Sequence, residues 1–219
     1  MPVKLVIFDM DGLMFDTESV SYMLWSENIK NMGFEPSISL FTKSMGGHSP
    51  DIELHYEKLF GRKVSLDEIN EIFNYDFLGA LERDGVGVKK GLIKLLDWLD
   101  ENDIKKAIGS ASSQTIIRKY LSWTNIAPGR FDFIMSGDMA KRLKPDPEIF
   151  LTACEKTGTN PVDALVLEDS RNGVYAANAA KIPCVFVPDL LAPDEDIRSR
   201  AFKIADSLED VIDIVREMM

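Results

Sequence analysis

The chain changes texture twice along its length. Val3 to Phe8 is a short apolar run rich in β-branched residues, cut off at once by Asp9, and it reads as a buried strand. A polar turn containing Gly12 follows. From about Asp16 to Asp84 apolar positions recur at helical spacing instead. Tyr22, Trp25, Ile29 and Met32 mark one helix, with Gly33 as its stop. Ile52, His55, Tyr56 and Leu59 mark a second, ending at Gly61, and Ser65-Leu66-Asp67-Glu68 fits a capping box that opens a third.

After Gly91 short apolar runs alternate with amphipathic stretches. Strands are expected over Ile104 to Gly109, Phe131 to Met135, Ala164 to Leu167 and Cys184 to Val187. Helices are expected over Leu92 to Asn102, Gln114 to Trp123, Pro147 to Thr157, Asn172 to Ala180 and about Leu208 to Met218. Such alternation implies a parallel sheet covered on both faces. The expected fold is therefore α/β: a Rossmann-like, doubly wound parallel-sheet core of residues 1–15 and 88–219, carrying an inserted α-helical cap at 16–87. In such sheets ligands bind outside the carboxyl ends of the strands, so chemistry is to be sought just after each apolar run.

Composition narrows the field. With 219 residues, 45% hydrophobic and 28% charged, the chain suits a soluble core domain with a smaller insert. A formal net charge of -11 argues against passive attraction to nucleic acid or an anionic membrane. No apolar run approaches the ~18 residues of a membrane span, no export signal is evident, and a cytoplasmic location is expected. Cys154 and Cys184 form no CxxC motif and read as buried thiols. His48 and His55 are the only histidines, which rules out an all-histidine metal site.

The polar residues after the strands form a set. Asp9-Met10-Asp11-Gly12 places two carboxylates on the same side of an extended stretch, where they repel unless a cation lies between them or one is protonated. Hard divalent cations prefer such oxygens. Gly109-Ser110-Ala111-Ser112-Ser113 is either a helix cap or a phosphate cradle of hydroxyl and backbone N–H groups at a helix start. Lys144, between Leu143 and Pro145-Asp146-Pro147, is a solvated charge or a placed counter-charge for phosphate. Glu168-Asp169-Ser170 ends another strand, where capping and metal binding are the alternatives. Gly85 to Gly91 follows no strand and reads as a hinge rather than a nucleotide loop.

Together these motifs resemble the haloacid dehalogenase-like hydrolases, in the branch with a helical cap inserted after the first strand. Phe8 to Gly12 with Asp16-Thr17-Glu18 matches the first motif. Ser110 matches the second, Lys144 in Lys-Pro-Asp-Pro the third, and Glu168-Asp169 with Asn172-Gly173 the fourth. The resemblance implies that Asp9 is a nucleophile forming an aspartyl-phosphate and that Asp11 is the acid and then the base. It implies that Ser110, the Ala111 backbone and Lys144 hold the phosphoryl group. It further implies Mg2+ as cofactor, bound by Asp9, Asp169 and the Asp11 carbonyl, with Glu168 as an added or supporting ligand.

The resemblance extends to β-phosphoglucomutase-like proteins and to sugar or nucleotide monophosphatases. The mutases carry a histidine in the first cap helix where this chain has Ser21, and an arginine in the loop read here as Gly46-Gly47-His48-Ser49. They carry a lysine in a later cap helix, around Tyr75-Asp76 here. A second phosphate grip is therefore expected to be missing, which favours a phosphatase over a phosphomutase. An inactive phosphate-binding module is disfavoured because Asp9, Asp11, Lys144 and Asp169 all stand. The cap is expected to govern specificity, closing on hinges near Asp16 and Gly85 to Gly87, with Thr17, Trp25 and His48 as candidate substrate contacts, Trp25 reading at least as well as a core-packing residue. The expected partner is a small phosphorylated metabolite, and the expected state a monomer.

Overall fold

A computed structural model of the chain describes residues 2–44 and 50–219. The chain opens with β1 (Leu5–Phe8). Five helices follow: α1 (Thr17–Asn31), α2 (Ile38–Ser44), α3 (Pro50–Phe60), α4 (Leu66–Ile72) and α5 (Phe77–Asp84). Then come α6 (Leu92–Glu101), β2 (Lys105–Gly109), α7 (Gln114–Trp123), β3 (Phe133–Met135) and α8 (Glu148–Thr157). The chain ends with β4 (Ala164–Glu168), α9 (Arg171–Ala179), β5 (Cys184–Phe186), α10 (Glu195–Arg200), β6 (Lys203–Ile204) and α11 (Val211–Glu217). It divides into two compact units, one of Met1–Asp16 with Val86–Met219 and one of Thr17–Gly85. Among the described residues, no helix is long and apolar enough to cross a membrane.

The first unit is an α/β fold. Its six strands form one parallel sheet in the order β3-β2-β1-β4-β5-β6. All four residues of β1 are buried, as they must be in a strand with a neighbour on each side and helices over both faces. Leu5, Ile7, Ala107 and Val166 pack with Ile149 and Phe150 of α8 and Val174 of α9 on one face. From β1 the chain builds outward to β3 on one side, then returns to build β4 to β6 on the other. That reversal makes the carboxyl ends of β1, β2 and β4 a topological switch point.

Register brings these ends level. Phe8 pairs with Ile108 on one side and Leu167 on the other. The residues that follow, Asp9, Gly109-Ser110 and Glu168-Asp169, therefore emerge together at one edge. The exit of β1 is a tight turn, with the Met14 and Phe15 N–H groups donating to the Met10 carbonyl and Gly12 at φ 79°. The chain re-enters this unit beside its exit: the Asp16 N–H donates to the Gly87 carbonyl and the Lys89 N–H to the Met14 carbonyl.

The second unit is all helical. Its core holds Trp25, Ile29, Phe41, Tyr56, Ile69, Ile72 and Leu81. The expected capping box at α4 is present in both directions: Ser65 Oγ accepts from the Glu68 N–H at 3.2 Å, and Glu68 accepts from the Ser65 N–H at 2.9 Å. Gly33 and Gly61 follow α1 and α3 at φ 86° and 64°, the left-handed backbone that stops a helix.

Several elements differ from the sequence reading. Helices α2, α5 and α10 and strand β6 were not anticipated. All are short, and a two-residue strand carries no periodicity to read. Strand β3 begins at Phe133 rather than Phe131, because Pro128–Arg130 forms a turn of 3-10 helix just before it. Helix α11 begins at Val211 rather than Leu208, since Ser207 Oγ donates to Asp210 at 2.6 Å and holds a turn there.

Candidate active site

Burial of charge defines the site. Asp9, Glu168 and Asp169 are buried at adjoining strand ends, and each offers a carboxylate oxygen within 4.8 Å of the others. Asp9 directly follows β1, its N–H donating to the Leu167 carbonyl at 3.0 Å. Glu168 is the last residue of β4 and is fully buried. Lys144 reaches in from the segment before α8, where it precedes Pro145-Asp146-Pro147, and the Lys144–Pro145 peptide is cis. Its ammonium bridges Asp9 Oδ1 and Glu168 Oε1, the latter at 2.6 Å, and lies 4.8 Å from the centre of the Phe150 ring.

Glu168 is wholly committed. Its Oε1 accepts from Lys144, while Oε2 accepts from the Asp169 and Ser170 N–H groups at 3.1 and 3.0 Å and from Ser170 Oγ at 2.9 Å. Ser170 also caps α9, accepting from the Gly173 N–H at 3.0 Å. The side chain passes where only glycine leaves room: a Cβ on Gly173 would lie 1.8 Å from Glu168 Cδ.

The electrostatics follow from this crowding. Burial pushes the Asp9 carboxyl up to about 8, against the opposing pull of Lys144, and the nearby Glu168 and Asp11 push the same way as burial. Burial works against the Lys144 ammonium, but Asp9 and Glu168 outweigh it and hold the lysine charged, above its ordinary range. Three buried acids against one ammonium leave the pocket short of positive charge. An all-oxygen donor set of this kind suits a hard divalent cation.

The exit of β2 lines the same edge. Ser110 is buried, donates its N–H to the Met135 carbonyl and accepts the Ser112 N–H on Oγ at 3.0 Å. Ala111 is exposed beside it. Ser113 is the cap of α7, accepting from the Ile116 N–H, so only one of the later serines is occupied by capping. Ser112 instead donates to Asp11 Oδ2 at 2.7 Å.

The structure thus brings Asp9, Lys144, Glu168 and Asp169 into one cluster, and Ser112 and Asp11 into contact. Three expected substrate contacts stand differently. Trp25 is corrected: it is fully buried within the second unit, tilted against Phe41 and stacked on Tyr22, and its indole N–H donates to Tyr56 at 2.9 Å. Its apolar bulk and single donor are both satisfied inside that core, which leaves no face for a ligand. Thr17 opens α1 and is buried. His48 lies outside the described residues. Sequence reasoning missed Phe150, which reads as an ordinary helix core position, and the part played by Ser112, which nothing in the sequence sets apart from Ser113.

A profile of the haloacid dehalogenase-like hydrolases matches residues 6–187, most of the chain. The chain belongs to that family. Two curated relatives are similar over most of their lengths. One is Bacillus subtilis YhcW, provisionally named a phosphatase, 28% identical with 85% of this chain and 84% of that protein covered. The other is the phosphorylated carbohydrates phosphatase of Thermotoga maritima, 27% identical with 84% of each covered. The crystal structure of a β-phosphoglucomutase from Clostridium difficile shares the fold at a TM-score of 0.72 and 24% identity, over 99% of this chain and 96% of that one. The chain is thus a haloacid dehalogenase-like hydrolase with phosphatase-named relatives, and it has the fold of that mutase.

Proposed function

We propose that the protein is a Mg2+-dependent phosphatase acting on a small phosphorylated metabolite, a sugar phosphate or nucleoside monophosphate, through an aspartyl-phosphate. The observation that carries this is the buried set at one sheet edge: a carboxylate nucleophile, an ammonium against it, and further acids beside both. Asp9 and Asp169, with the Asp11 carbonyl, would hold the cation. Glu168, its oxygens already taken by Lys144 and by N–H and O–H donors, stands behind them and fixes the lysine. Bound there, Mg2+ would supply positive charge to the phosphoryl oxygens and keep Asp9 ionised.

The chain's own residues then divide the work. Lys144 neutralises charge that develops on the phosphoryl oxygens, and Ser110 with the Ala111 N–H cradles them. An Asp9 carboxylate oxygen bonds to phosphorus as the ester oxygen leaves, and Asp11 gives that oxygen a proton. Asp11, now a carboxylate, takes a proton from water as the water oxygen bonds to phosphorus. The bond from phosphorus to Asp9 breaks, freeing inorganic phosphate and restoring both acids.

Hydrolysis is favoured over mutase chemistry by the second unit. Near two of the positions where the resemblance places basic groups in the mutases, Ser21 Oγ and Tyr75 OH lie 2.6 Å apart in a hydrogen bond, and Asp76 caps α5. Two bonded hydroxyls offer polarity without positive charge and suit a sugar or nucleoside hydroxyl better than a second phosphate. Asp9→Asn tests the assignment: phosphate release from p-nitrophenyl phosphate with Mg2+ should drop by about 10⁴-fold or more, and unchanged turnover would overturn it. Against β-glucose 1-phosphate the wild type should release phosphate faster than it forms glucose 6-phosphate.

A further inference from the structure

Ser112 is left over when the capping and cradling roles are assigned. Each of its polar groups is used, one within its own loop and two reaching the segments that follow β3 and β1. Its N–H donates to Ser110 Oγ at 3.0 Å, its carbonyl accepts from the Gly137 N–H at 2.8 Å, and its Oγ donates to Asp11 Oδ2 at 2.7 Å. The loop that carries it has no slack. The Ser110 N–H is tied to the end of β3, and a Cβ on Gly137 would lie 2.0 Å from the Ala111 carbonyl oxygen. Ser112 is therefore a donor held in place by its own loop and by the end of β3, and it is pointed at a carboxyl group borne on the β1 turn.

The direction of that bond matters. Asp11 sits in a short turn, and two side-chain torsions set the direction of its carboxyl. A rigidly mounted hydroxyl at 2.7 Å selects one orientation. We infer that Ser112 is a positioning residue for the acid–base work of Asp11, an inference that rests on the phosphatase reading above. With Ser112 donating into Oδ2, the proton that passes to the leaving oxygen, and later comes from water, travels through Oδ1. The serine itself exchanges no proton with substrate.

The consequence depends on the leaving group. A p-nitrophenolate departs as a stable anion and needs little help from an acid, whereas an alkoxide must be protonated as it leaves. Ser112→Ala should therefore slow single-turnover cleavage of glycerol phosphate by about 10–100-fold with KM little changed. Single-turnover release of p-nitrophenolate should fall by less than about 3-fold. Ser112→Thr keeps the hydroxyl and should restore the alkyl substrate. In an Asp11→Asn background Ser112→Ala should cost nothing further, since the two changes remove one function. Circular dichroism checks that each variant is folded. Equal losses on both substrates, losses additive with Asp11→Asn, or no loss at all would overturn the inference while leaving the wild-type phosphatase intact. A wild type that releases no nitrophenolate in a single turnover would overturn the phosphatase reading, and the role of Ser112 with it.

Discussion

Gly173→Ala sets two expectations against each other. Gly173 lies in the first turn of α9. On helix propensity alone, replacing a helical glycine with alanine should stabilise by about 1 kcal/mol. The packing reverses the sign. The new Cβ would lie 1.8 Å from Glu168 Cδ and Oε1 and 2.3 Å from Oε2. The end of a long side chain normally moves aside at little cost, but Glu168 is fully buried and its carboxylate is gripped by Lys144, two backbone N–H groups and Ser170 Oγ. Overpacking a filled core costs about 1–3 kcal/mol, and pulling one partner from a buried ion pair costs up to about 3–5 kcal/mol. A net loss of about 2 kcal/mol or more is expected, which lowers Tm by roughly 4–8 °C in a chain of this size. Phosphatase activity should fall further than stability does, because Lys144 loses the carboxylate that aims it. Differential scanning calorimetry and phosphate release from p-nitrophenyl phosphate read the two effects. In a Glu168→Ala background the clash is gone, and Gly173→Ala should become neutral or stabilising. A Gly173→Ala protein as stable and as active as the wild type would refute the reasoning.

Other outcomes follow from the same structure. Chelation of divalent cations should abolish phosphate release and added Mg2+ restore it. Asp169→Asn should raise the Mg2+ concentration needed for half-maximal rate by at least about 10-fold. Burial pushes the Cys154 thiol up to about 11 and the Cys184 thiol well above 9, so neither should react with a thiol-specific disulfide reagent at pH 8 until urea unfolds the chain. Because the folded chain keeps these protons after the unfolded chain has lost them near pH 9, their contribution to stability declines as pH rises beyond that value. Trp25→Ala should destabilise by about 3–5 kcal/mol, read by calorimetry, while Trp25→Phe should leave KM unchanged, as befits a core side chain.

The sequence by itself determined the fold class and the places where chemistry would gather. Strands that are buried on both faces must be nearly all apolar, so the acids that interrupt them at Asp9 and Glu168 stand out without any coordinates. Local signals were equally legible: the Ser65–Glu68 capping box and the helix-ending Gly33 and Gly61 act within a few residues and need no tertiary partner. Elements too short to show a period, such as β6 and α2, were not.

What only the tertiary structure decided is where side chains separated by many residues meet. Lys144 lies 135 residues from Asp9 and 24 from Glu168, and no spacing rule says that its ammonium bridges both. Trp25 reads equally well as a ligand contact or a core residue, because an aromatic at helical spacing fits either, and the bond to Tyr56 resolved it. Ser112 and Ser113 are identical neighbours in the sequence. Backbone direction turns one toward its own helix and the other toward Asp11, 101 residues away. Contacts of that kind are set by sheet register and loop closure, which depend on the whole chain having folded.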